Sequence, residues 1–137
     1  MRLAFIALLL FAQTSAAPAT SFRARLSPVP VESSTASKIT GSGTVTATLD
    51  GSKLTISGTF EGMKSPATIA QIHMGQRGVR GPVEFDLQVE KAPNGNVSGT
   101  ITLTKVQVDT LRRGWYYIQI HAEQAPDGNL WGWFLPT

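Results

Sequence analysis

Cysteine is absent from all 137 residues, so no disulfide, thiolate ligand or nucleophilic thiol is available, and apolar burial alone must hold the fold. Histidine is nearly absent: His73 and His121 are the only two, fewer than the three or four protein ligands that zinc and copper sites usually take. Long apolar runs are missing as well. The longest, Leu3 to Ala12, has ten residues, against the roughly 20 that a membrane-spanning helix needs. A strong excess of one charge is missing too: 12 basic residues face 9 acidic ones for a net charge of +3. The basic residues are scattered rather than clustered, which argues against nucleic acid as a partner. No G-x-S-x-G, P-loop or H-E-x-x-H motif occurs, so binding is expected rather than catalysis.

The N-terminus, "MRLAFIALLLFAQTSAAPAT", carries Arg2, then the apolar run, then small residues at Thr14 and Ala16. This is the pattern of a secretory signal peptide, expected over residues 1–16 and removed on export. The remainder, 17–137, is long enough for one domain and too short for two. A periplasmic or secreted protein follows, without a transmembrane segment in the mature chain.

The clearest local signal is "GTVTATLDGSKLTISGTFE", residues 43–61. Val45, Ala47 and Leu49 share one face, Thr44, Thr46 and Thr48 the other. Asp50-Gly51 turns the chain, and Leu54, Ile56 and Phe60 resume the apolar face, as in a hairpin. The same period of two runs through "VEFDLQVE", with a turn at Pro93-Asn94-Gly95 and a partner strand in "NVSGTITL", predicting a second hairpin. Further strands are expected over 21–26, 68–74, 115–122 and 130–134, with Pro126-Asp127-Gly128 turning between the last two. Thr104 and Gln107 have capping-box spacing ahead of Arg112-Arg113-Gly114, so one short helical turn is expected there. Residues 27–43, rich in Ser, Pro and Thr, read as a long surface connection. About eight short strands with almost no helix argue for an all-β fold, an antiparallel Greek-key sandwich or barrel.

Both histidines end the same tripeptide, Gln-Ile-His, in "ATIAQIHM" and "WYYIQIHA". Alternation places Gln71 with His73, and Tyr117 with Gln119 and His121, each set on one strand face. If the two strands are neighbours, the imidazoles converge. A metal centre built on His73 and His121 would need Gln71, Gln119 or Glu123 to complete it, and amide oxygen is a poor ligand for copper or zinc. The alternative is that each histidine ends its strand by bonding a loop carbonyl. "MGQRGVRGP" sets three glycines with Arg77 and Arg80 in one loop, either as a nest of amides for an anion or as an ordinary Gly-rich turn. "NLWGWFLPT" puts Trp131 and Trp133 on one face of the last strand, either in a doubly covered strand or in an exposed patch suited to a partner. Asn96-Val97-Ser98 fits a glycosylation sequon.

With these motifs in hand, the chain resembles the CHRD domain family, named for chordin, over about residues 21–135. The resemblance is carried by "AQIHMGQRGVRGPV", similar to the family's Ala-His-Ile-His-x-Gly and Gly-Pro-Val, and by "YIQIHAEQAPDGNLWG", similar to its Tyr-Val-Asn-Val-His-Thr and Pro-x-Gly-Glu-Ile-Arg-Gly. It implies an all-β sandwich whose His-x-His strand is similar to the copper-ligand strand of copper-zinc superoxide dismutases. His73 matches the second histidine of that pair and His121 the later one. Gln71 stands where the first is expected, Gln119 replaces Asn, Ala122 Thr, Asn129 Glu, and Trp131 Arg.

The function expected from all this is a small exported accessory domain that docks on another protein through Trp131, Trp133 and Tyr117, with Arg77 and Arg80 as an anion-binding pair and no cofactor of its own. The alternative is a copper-binding or redox protein using His73 and His121, with Gln71 as a weak third ligand.

Overall fold

A computed structural model describes residues 19–137, and the expected signal peptide lies outside them. Nine strands and one helix follow in chain order: β1 Thr20–Pro28, β2 Ser42–Asp50, β3 Lys53–Glu61, β4 Ala67–Met74, β5 Val83–Val89, β6 Gly95–Thr102, α1 Lys105–Arg112, β7 Tyr116–Ala122, β8 Ala125–Trp133 and the short β9 Leu135–Pro136. Among the described residues no helix is long and apolar enough to cross a membrane.

The strands run β2-β3-β6-β5-β4-β7-β8-β1 in space, and β1 also pairs β2, which closes an eight-stranded antiparallel barrel. Strands β4, β5 and β6 are consecutive neighbours, and β7 returns beside β4, which is the Greek-key arrangement. Alternation explains the core. Phe22, Ala24 and Leu26 of β1, Val45, Ala47 and Leu49 of β2, and Leu54, Ile56 and Phe60 of β3 are buried, while the intervening Thr, Ser and Arg residues face out.

The crossover from β6 to β7 carries α1. Its capping box is formed as the spacing predicts: the Gln107 amide donates to Thr104 Oγ1 at 3.2 Å and the Thr104 amide to Gln107 Oε1 at 2.8 Å. Leu111 is fully buried and pins the helix to the barrel end.

The expected second hairpin is present but short: β5 and β6 pair at Gln88↔Ser98 and Val89↔Val97, since β5 otherwise follows β4 and β6 follows β3, and it forms a corner of the barrel. Two expectations are corrected. Pro126-Asp127-Gly128 is no turn: Ala122 pairs Ala125, so the chain turns at Glu123-Gln124. Between that pair and Ile120↔Leu130, β7 contributes only His121 against residues 126–129 of β8, so the Pro-Asp-Gly stretch bulges outward. Finally, β7 begins at Tyr116, and Trp115 stays outside it with the Arg113 guanidinium 5.7 Å from its ring.

Barrel closure depends on a close approach of β1 to β8. Ser27 and Pro28 pair Trp131 and Leu130, and a Cβ on Gly132 would lie 2.4 Å from the Arg25 carbonyl oxygen. Gly132→Ala should therefore destabilise the barrel by about 1–3 kcal/mol through overpacking, seen as a lower denaturation midpoint. Thr48→Ala, on the wet face of β2, should stay within about 0.5 kcal/mol.

Candidate functional site

The site lies on the outer face of β4, β7 and β8. Pairing aligns His73 with Tyr117 and Tyr117 with Trp133, and in the adjacent row Gln71 with Gln119 and Gln119 with Trp131. Residues two apart share a face, so His121 joins Tyr117 and Gln119 on this side. The two imidazoles do converge: their ring centroids are 6.4 Å apart with planes inclined by 26°.

Around them the aromatic rings form a continuous cluster. His73 stacks on Tyr117 at 5.0 Å, Tyr117 lies 4.5 Å from Trp133 and 5.8 Å from Trp131, and the two indoles meet edge to face at 4.8 Å. The Arg80 guanidinium sits 5.7 Å from the Trp131 ring centroid, a cation–π distance.

This outward face is largely covered. Tyr117 is 1% exposed, Gln119 3%, His73 8% and Trp133 9%, so of the three expected aromatic anchors only Trp131 presents surface, being half-buried. Tyr117 and Trp133 act beneath it as support. The cover is the 75–82 loop and the bulge at 126–129. Trp133 Nε1 donates to the Gly75 carbonyl at 2.9 Å. The Gly81 amide donates to the Tyr117 hydroxyl oxygen at 2.9 Å, and His73 Nδ1 donates to the Gly81 carbonyl at 2.9 Å. Gly81 tolerates no side chain, since a Cβ there would lie 1.6 Å from the Met74 carbonyl oxygen.

Carbonyl oxygens only accept, so these bonds fix the histidine tautomers. His121 Nδ1 donates to the Pro126 carbonyl at 2.7 Å, which leaves its Nε2 to accept from Gln119 Nε2 at 3.2 Å. The same Gln119 amide also donates to the Asp127 carbonyl at 3.1 Å. In His73, Nδ1 is likewise occupied and Nε2 is buried without a partner. Both rings thus direct the nitrogen that a metal would use away from the carbonyl that orients them.

Gln71 does not join them: its amide donates to Asp86 Oδ1 at 2.9 Å. Among the described residues no group of three or more His, Cys, Asp or Glu side chains is placed to hold a metal ion. Two imidazoles leave a copper or zinc shell one or two ligands short.

In the 75–82 loop, open to reading as an amide nest or as an ordinary Gly-rich turn, the Gly75, Val79 and Gly81 amides are bonded to Trp115 O, Gln76 O and Tyr117 Oη. Arg77 lines a groove of about 570 Å³ beside Trp131, together with Arg23 and Arg25 of β1. Sequence reasoning missed Arg23 and Arg25. The signal was in "SFRARL", where alternation buries Phe22, Ala24 and Leu26 and turns both arginines out.

On the opposite side of β7, Tyr116 faces inward, and its phenol pKa is raised by burial and by Glu84, partly offset by a hydrogen bond with Thr110. The sequon residue Asn96 is exposed, with its side-chain amide donating to Glu90.

Tyr117→Phe should leave the Gly81 amide without its acceptor, a loss of about 1–3 kcal/mol if no water replaces it. Hydrogen exchange at Gly81 should accelerate relative to the amides of β2 and β3. Unchanged exchange there would mean that the hydroxyl does not hold the loop.

Compared with known proteins, residues 22–133 match the family model described as CHRD domain. No curated protein and no solved structure matches the chain.

Proposed function

The chain belongs to the CHRD domain family, and from that membership we propose that it works as an exported domain that docks on another protein without catalysis of its own. The observation that carries this reading is Trp131. Its indole is half-buried on a rigid β-strand, backed by Tyr117 and Trp133 and flanked by Arg80 and Arg77. A preorganised aromatic residue beside arginines is the composition enriched at interface hot spots. The cluster beneath it supports binding over chemistry, because its polar atoms are mostly bonded to one another and to loop carbonyls. Export to the periplasm or the medium fits the N-terminal pattern and the family.

Trp131→Ala should weaken a native partner captured from periplasm or medium by tenfold or more, since hot-spot truncations commonly exceed about 2 kcal/mol. The melting temperature should remain near that of the parent. A collapse of the fold would instead make Trp131 a core residue, and undiminished capture would place the interface elsewhere.

A second reading, copper binding at His73 and His121, has one observation behind it: a buried, unpartnered Nε2 on His73 beside a second oriented imidazole. Ligand number opposes it. Gln71→His adds an imidazole two residues from His73 on the same strand face, so it should bind Cu(II) more tightly than the parent chain in a titration followed by visible absorbance. Equally weak binding by both forms would end the copper reading.

A further inference from the structure

The groove beside Trp131 has a chemistry that the aromatic cluster does not explain. Its polar wall is Arg23, Arg25 and Arg77, and its apolar wall is Trp131, Trp133 and Leu135. Among the described residues no Asp or Glu side chain lines it. The cross-strand neighbours of Arg23 and Arg25 on β2 are Thr46 and Thr44, neither of them acidic, and Glu61 lines a separate groove that Arg25 also borders. Three guanidiniums gathered in one cleft with low-dielectric walls concentrate negative charge.

We propose that this groove receives an extended acidic segment of the partner protein, with alternate carboxylates on Arg23 and Arg25 and a further one on Arg77. The proposal rests on the protein-docking reading and names what the partner presents. Arg23 and Arg25 are two residues apart on one strand face, a separation of roughly 6.5–7 Å. An extended peptide repeats its side chains at that same interval, so acidic residues at every second position match the pair in register. Guanidinium and carboxylate then meet in planar, charge-assisted hydrogen bonds.

The indoles favour a peptide over an anionic polysaccharide. Sugar rings stack on flat, open aromatic faces, and here Arg80 lies over the Trp131 ring, which also meets Trp133 at 70° and Tyr117 at 81°. Trp133 is buried, with its N–H committed to Gly75. What stays open is a row of guanidiniums beside a short apolar wall, suited to carboxylate side chains interleaved with small apolar ones.

The test is a titration of the whole chain with a terminally blocked peptide of alternating Glu and Thr, followed by tryptophan fluorescence, since two indoles line the groove. Saturable binding is expected that weakens as salt rises and is absent for the same peptide with Gln in place of Glu. The double variant Arg23→Gln, Arg25→Gln should bind about tenfold more weakly, as two partly exposed ion pairs are lost, with its melting temperature unchanged. Arg77→Gln, on a separate loop, should weaken binding in the same direction, and Lys53→Gln, outside the groove, should not. Equal binding of the Gln peptide, parental affinity in the arginine variants, or binding of an oligogalacturonate without binding of the peptide would each overturn the proposal. If the peptide fails while a captured partner still depends on Trp131, the acidic segment is wrong and the docking reading survives. If Trp131 dependence also fails, both fall.

Discussion

The register of β7 between β4 and β8 is the constraint from which the rest follows. His73, Tyr117 and Trp133 stand in one row and Gln71, Gln119 and Trp131 in the next, because the three strands pair in that register. A shift of one residue on β7 would move Tyr117, Gln119 and His121 into the barrel and expel Tyr116, Ile118 and Ile120. The interior forbids that. Ile118 and Ile120 are fully buried against the other inner faces, and an amide or imidazole moved among them would lose its present partners. Thus the apolar core, which has no part in binding, fixes the geometry of the outer cluster.

Two covers complete that cluster, and each works through backbone carbonyls. The bulge in β8 offers Pro126 O to His121 and Asp127 O to Gln119. The 75–82 loop offers Gly81 O to His73 and Gly75 O to Trp133. Buried backbone groups need partners, and here ring and amide donors of the strand face supply them. The outcome is a second small core outside the barrel, built from aromatic rings and polar groups that are bonded except at His73 Nε2. It explains why β7 is buried on both faces: it is a central strand covered twice.

Much of this was legible in sequence, for reasons that can be named. Period-two alternation located the hairpin at 43–61, and capping-box spacing located the helix, since both depend on neighbours close in the chain. The pairing of the two Gln-Ile-His strands followed from their shared parity and is realised in the register of β4 with β7. The reading of Pro126-Asp127-Gly128 as a turn failed because its residues suit a bulge as well as they suit a turn. Only the pairing of Ala122 with Ala125 decides between them. The two views of the last strand proved to apply to different residues: Trp133 is covered and Trp131 is partly open. Arg23 and Arg25 escaped notice because their significance lies in Arg77, more than fifty positions away, and in a strand, β8, that meets β1 only where the barrel closes.

These placements separate two kinds of uncommitted chemistry. One is the His73 Nε2 lone pair, buried and without a hydrogen-bond partner, on a ring whose Nδ1 is held by the Gly81 carbonyl. The other is the set of guanidiniums on β1 and the loop, which already face solvent in an open groove. A charged partner can reach them with the fold unchanged, at the further cost of ordering the exposed arginine side chains. The fold thus keeps the His73 imidazole buried and its guanidiniums open, with the half-buried Trp131 indole fixed on a strand beside the groove.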